Sequence, residues 1–158
     1  MFLSLKTTKE KNLYKESIGM IAKQISDTFK NSKFSNEQKL RSVKNIVING
    51  MGGSNLGAEI VCSLFKKDLK IPVAIEPGYD IPGFVGKETA YIVSSYSGTT
   101  EEPLVAYKKA KARGALIIAV TALANNKLAE LAKKDGFPTF EFPRSEERRV
   151  GKECRSRW

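Results

Sequence analysis

A chain of 158 residues with 41% hydrophobic content is long enough to bury one core, and no Pro-, Gly- or Ser-rich linker divides it, so one domain is expected. No window approaches the apolar length that a bilayer crossing needs, and Met1–Lys6 is too short for a secretory core, so no membrane partner is expected and the cytoplasm is the expected location. The formal charge of +10 comes from lysines scattered in pairs (Lys66-Lys67, Lys108-Lys109, Lys133-Lys134) without interleaved aromatics, the pattern of solvated helix faces and not of a nucleic-acid surface.

From about Thr8 to Phe29 the apolar positions Leu13, Ile18, Ile21, Ala22, Ile25 and Phe29 recur at three- and four-residue steps, which predicts an amphipathic helix with a packing partner. A polar stretch, Asn31 to Ser42, follows. Ile46-Val47-Ile48 then reads as a buried parallel strand ending at glycine. The loop Gly50 to Asn55 leads into a helix expected to turn Leu56, Ile60, Val61, Leu64 and Phe65 inward, with Cys62 as a core thiol on its apolar face. Val73-Ala74-Ile75 is the next strand, closed by Pro77-Gly78, and Tyr91-Ile92-Val93 is the third.

A second unusual loop, Ser94-Ser95-Tyr96-Ser97-Gly98-Thr99-Thr100, runs into a helix with Thr100 as its expected cap. Glu101 and Glu102 suit its first turn electrostatically, and Pro103 is tolerated there. Leu116 to Val120 is the fourth strand and is expected to be the most buried. A helix over about Asn126 to Lys134 ends at Gly136, and Thr139 to Phe142 is a fifth short strand. The alternation of strands and helices predicts an α/β fold: a three-layer sandwich around an open, five-stranded parallel sheet of flavodoxin-like type.

The last residues differ from the rest. Before Arg144 the chain has 19 Lys and 2 Arg; from Arg144 to Trp158 it has 5 Arg and 1 Lys, together with the single Trp. Residues 144–158 read as the translation of a sequencing-library adapter and are set aside from the fold, with an open reading frame expected to be truncated near Pro143. Without them the formal charge drops from +10 to +7.

The chemistry lies in the two special loops. A phosphate dianion needs several convergent donors, which backbone amides at a helix start and nearby hydroxyls supply, and glycine lets the backbone approach without a Cβ. Gly50, Gly52, Gly53 and Ser54 in one loop, and Ser95, Ser97, Gly98, Thr99 and Thr100 in the other, meet that need. A dinucleotide fingerprint fails because position 55 is Asn where glycine is required. No Gly-Lys-Ser/Thr run supports a P-loop, and Cys62 and Cys154 have neither metal-ligand spacing nor a disulfide framework. No cofactor and no metal are expected.

Ile48-Asn49-Gly50-Met51-Gly52-Gly53-Ser54 and Val93-Ser94-Ser95-Tyr96-Ser97-Gly98-Thr99-Thr100-Glu101-Glu102 resemble the sugar isomerase (SIS) domain family, and within it most closely the bifunctional phosphoglucose/phosphomannose isomerases. Weaker similarity runs from about Ile18 to Pro143. The resemblance implies that Ser54, Ser95, Ser97 and Thr100 hold the substrate phosphate, and that Gly52, Gly53, Gly98 and Thr99 line the sugar beside it. It divides the chain into an amino-terminal helix and linker packing on the domain (1–44), the sugar-phosphate-binding SIS domain (45–143) and the adapter tail.

The resemblance further implies an aldose–ketose isomerase of glucose 6-phosphate and fructose 6-phosphate, with mannose 6-phosphate as a candidate second substrate, working through a cis-enediolate without metal or nucleotide. Such a reaction needs a carboxylate to shuttle a proton and an acid/base, usually histidine, to open the ring. The chain has no histidine, and Glu76, Glu101 and Glu102 match no catalytic position of the family. Arg144 is rejected as the family's phosphate-side arginine. The catalytic residues are therefore expected in a second domain beyond Pro143, with this chain inactive alone and the full protein a homodimer. The alternative is a non-catalytic sugar-phosphate-sensing module of a regulator.

Overall fold

The computed structural model describes residues 15–16, 18–37 and 42–143. They fall in two units, one carrying helix α1 (Ile21–Lys30) and one running Lys33–Phe142. The first part of the expected amino-terminal helix and the whole of 144–158 lie outside the described residues. On the first unit, Ile18, Ile21, Ile25 and Phe29 form an apolar row, and all four are exposed. Among the described residues no helix is long and apolar enough to cross a membrane.

The second unit contains β1 (Lys33–Ser35), β2 (Asn45–Gly50), α2 (Gly53–Leu64), β3 (Val73–Ile75), β4 (Thr89–Ser95), α3 (Glu101–Ala112), β5 (Leu116–Ala122), α4 (Lys127–Asp135) and β6 (Thr139–Phe142). The strands form one sheet in the order β1-β6-β5-β4-β2-β3, all parallel except β1. Counted from β2, the five parallel strands run 2-1-3-4-5, the flavodoxin-like order, in a three-layer α/β arrangement. That order reverses direction between β2 and β4, and the crevice beyond their carboxyl ends is where ligands sit in such sheets.

The sixth strand was not legible in the polar stretch after Asn31. Lys33, Phe34 and Ser35 pair with Glu141, Phe140 and Thr139, placing opposite charges in register and covering the open edge of β6. Three residues carry too little periodicity to announce a strand; the edge of β6 induces it.

The most buried strand is β4, not β5 as expected: five of its seven residues are buried, against four of seven in β5, although both are hydrogen-bonded on both sides. Val47, Tyr91, Val93, Leu104, Tyr107, Ile117, Leu128 and Phe137 form the core, with the Tyr107 and Phe137 rings 5.6 Å apart. Pro103 is buried in the first turn of α3, where a missing N–H costs no helical bond. Gly136 ends α4 in the left-handed conformation, as its position in the sequence required.

The expectation for α2 is corrected. Leu56, Ile60, Val61, Leu64 and Phe65 are exposed, and the helix meets the sheet through Asn55, Ala58 and Cys62, the last a half-buried free thiol. The apolar stripe is real, but periodicity does not say what a stripe faces. The tight turn at Gly50–Gly52 fixes the rotation of α2, and that rotation brings Asn55 Oδ1 against Gly50.

Candidate functional site

Both special loops leave the carboxyl ends of strands at the switch point. Gly50 and Ser94 are register partners on β2 and β4. A Cβ on Gly50 would lie 2.9 Å from the Ser94 carbonyl oxygen and 2.9 Å from Asn55 Oδ1, so only glycine lets the strands and the α2 turn close together there. Gly52, with φ +54°, is the N-cap of α2, and no side chain caps that helix. Gly52 and Gly53 are exposed at the mouth, while Ser54 in the first turn is half-buried.

Ser54 ties the loops together. Its carbonyl accepts from Ser94 Oγ (3.1 Å), and its hydroxyl accepts from the Tyr96 N–H (3.4 Å). Accepting through a lone pair leaves a hydroxyl's own O–H available to donate.

The second loop is a ring of hydroxyls. Ser95 Oγ and Thr100 Oγ1 are 2.9 Å apart, and Ser97 Oγ is 3.4 Å from Thr100 Oγ1. Thr99 donates to Ser97 Oγ from its N–H (3.3 Å) and its hydroxyl (3.2 Å). The Gly98 N–H is received by both the carbonyl and the hydroxyl of Ser95, each at 3.1 Å. Ser95 is buried, whereas Ser97 and Thr99 are exposed. Thr100 occupies the expected cap position of α3 but makes no side-chain cap bond, because its hydroxyl is turned into this ring.

The structure thus brings Ser54 beside the second loop and gathers Ser95, Ser97, Gly98, Thr99 and Thr100 into one cluster, with Gly52 and Gly53 opening α2 across the crevice. Two helix starts at this edge are without side-chain caps, and their amides carry the positive end of the helix dipole. By contrast α4 is capped: Asn126 Oδ1 accepts from the Ala129 N–H at 2.9 Å. Exposed hydroxyls above uncapped helix starts are suited to an anion with several acceptor oxygens.

Burial pushes the Tyr91 phenol up to about 12, so it stays protonated at neutral pH. Glu101 and Glu102 sit in the first turn of α3, where their charge complements the positive end of the helix dipole.

Sequence reasoning missed two contributors. Ser94 bonds the loops together, and Asn126 lies against Gly98 from α4, some thirty residues on. An asparagine before a helix is a visible cap signal, but its contact with a distant loop is not written in local sequence.

Residues 39–136 match the SIS domain family. A bifunctional phosphoglucose/phosphomannose isomerase of Caldicellulosiruptor bescii is 40% identical over 129 residues, covering 81% of this chain and 38% of its own length. A glucose-6-phosphate isomerase of Staphylococcus haemolyticus is 32% identical over 122 residues, covering 62% of this chain and 27% of its own length. The chain therefore spans well under half the length of these relatives.

Among solved structures, a protein of Listeria monocytogenes assigned as a sugar-phosphate isomerase superposes with a TM-score of 0.65 at 23% identity, over 88% of this chain and 74% of that one. Uncapped, hydroxyl-rich loops at the switch point of a 2-1-3-4-5 sheet, the family match and these likenesses agree: the chain belongs to the SIS domain family.

Proposed function

We propose that this chain is the phosphate-gripping domain of an aldose–ketose isomerase acting on glucose 6-phosphate and fructose 6-phosphate, with mannose 6-phosphate as a second substrate. The observation that carries the proposal is the convergence of two loops without side-chain caps on one crevice, linked through Ser54 and lined by the hydroxyls of Ser95, Ser97 and Thr100. In this reading those four residues hold the phosphate, with Gly52, Gly53, Gly98 and Thr99 lining the sugar. The 40% identity to a bifunctional phosphoglucose/phosphomannose isomerase supports the substrate class.

Ring opening calls for an acid/base, usually histidine, and the chain has no histidine, while the relatives extend well beyond the matched part. We therefore propose that the catalytic groups lie in a second domain of a longer, homodimeric protein, and that 158 residues alone bind without turning over.

A two-part experiment tests this. Titration of the ¹⁵N-labelled chain with inorganic phosphate and fructose 6-phosphate is expected to move the amide signals of Gly52, Gly53 and Ser97 to Thr100. A coupled assay is expected to show no isomerisation. Unmoved loop signals sink the grip, and normal turnover sinks the division of labour.

The second reading is sugar-phosphate binding without turnover: the fold, shared over 85% of this chain at a TM-score of 0.60 and 14% identity with the Vibrio vulnificus NanR protein complexed with ManNAc-6P, is compatible with it. Sugar-phosphate binding by the longer protein without any isomerase activity would select that alternative.

A further inference from the structure

The start of α4 approaches the hydroxyl-rich loop at one point. The Leu128 N–H donates to the Gly98 carbonyl at 2.9 Å. The Asn126 side chain packs against Gly98, so close that a Cβ on Gly98 would fall 1.9 Å from Asn126 Oδ1 and 2.1 Å from its Cγ. Gly98 adopts φ +67°, which a side chain disfavours independently.

Asn126 is itself rigid. It is 5% exposed; its Nδ2 lies 3.1 Å from Thr121 Oγ1, 3.1 Å from the Ala122 carbonyl and 3.3 Å from the Ala124 carbonyl, while Oδ1 receives the Ala129 N–H. Thr121 is fully buried and is the register partner of Ser95, the last residue of β4. The amide therefore bridges the end of β5, the start of α4 and the floor of the loop.

We infer that Asn126 is a positioning residue for the phosphate grip, setting the Ser97-Gly98-Thr99 turn and aiming the Thr99 amide into the crevice. The inference rests on the phosphate-binding reading above. In a planar trans peptide the carbonyl and the following N–H point in opposite directions. Holding the Gly98 carbonyl on α4 turns the Thr99 N–H the other way, toward Ser97 Oγ, its long partner at 3.3 Å. An anion oxygen is a stronger acceptor than that hydroxyl and takes the bond over. Asn126 touches no ligand in this arrangement; it acts through Gly98.

The test uses three variants of the 158-residue chain. N126A removes both the wedge and the cap. N126D keeps an acceptor for the Ala129 N–H but loses the Nδ2 donor, so the helix stays capped while the bridge to β5 is broken. A132G lowers the stability of α4 from a buried position on the same helix without touching the loop.

Inorganic phosphate affinity is expected to fall about tenfold or more in N126A and N126D and to stay at the wild-type value in A132G, as loss of a charge-assisted donor predicts. Without ligand, the Gly98 and Thr99 amide signals are expected to shift, and their hydrogen exchange to quicken, in N126D but not in A132G. Equal affinities in N126D and wild type, or loop amides unchanged in N126D, overturn the positioning role. If wild type itself binds no phosphate, the functional reading falls, and the ligand-free amide comparison still decides whether Asn126 sets the turn.

Discussion

At the scale of single residues, glycines that look alike in the sequence do different work. Gly50 is hemmed in by a backbone carbonyl that cannot move away, so G50A is expected to cost about 1–3 kcal/mol of stability through overpacking, read from urea unfolding. Gly57 meets nothing within 4 Å where a Cβ would stand, and it lies inside α2; G57A is expected to stabilise by about 0.5–1 kcal/mol through helix propensity. The serines divide in the same way. Ser95 is buried and serves the Gly98 N–H, so S95A should lower stability by about 1 kcal/mol, whereas exposed Ser97 should leave the unfolding midpoint unchanged as alanine and report only in phosphate affinity. A stability loss in S97A matching that of S95A would contradict the assignment.

At the scale of elements, α3 and α4 are joined at the end of the sheet away from the loops by a polar triad. Tyr107 Oη donates to Asp135 Oδ2, and Lys111 Nζ lies 2.7 Å from the same oxygen. The Lys111 hydrogen bond first, and that of Tyr107 second, hold the Asp135 carboxyl below its ordinary value. A carboxyl lowered in the folded state contributes stability that is complete above its unfolded value of about 4 and is lost as pH falls through the folded value. D135N is therefore expected to flatten the acid limb of the stability profile.

Tyr107 has the opposite sign: burial, and then its bond to Asp135, raise the phenol. That contribution is complete below the unfolded value of about 10 and disappears as pH rises through the folded one. Y107F should flatten the alkaline limb and let the Asp135 carboxyl rise toward its ordinary value, which carboxyl ¹³C titration would show. An unchanged acid limb in D135N would mean that the triad contributes nothing to folding.

At the scale of the whole molecule, the buried core and the exposed apolar stripe of α2 make a measurable contrast. Leu128 is fully buried, and L128A is expected to cost about 2–5 kcal/mol, whereas L64S, at a residue 73% exposed, should stay within about 0.5 kcal/mol of wild type. A large loss in L64S would show that α2 is packed in solution in a way this chain's own core does not explain.

What the sequence determined by itself was the order of elements and the chemistry of two loops. Strand runs bounded by glycine, the Gly136 stop of α4, and the hydroxyl-rich run before Glu101 are local patterns, and local patterns survive folding because dihedral preference and side-chain periodicity act over a few residues. The tertiary structure alone decided which way each surface faced. Asn55, and not Leu56 or Ile60, turns toward the sheet because a backbone turn sets the rotation of α2; Lys33–Ser35 becomes a strand because β6 offers an edge; Asn126 reaches Gly98 because β5 and β4 are neighbours. The last two outcomes depend on contacts between residues far apart in the chain, which no short window of sequence contains, and the first depends on a backbone turn that side-chain periodicity does not record.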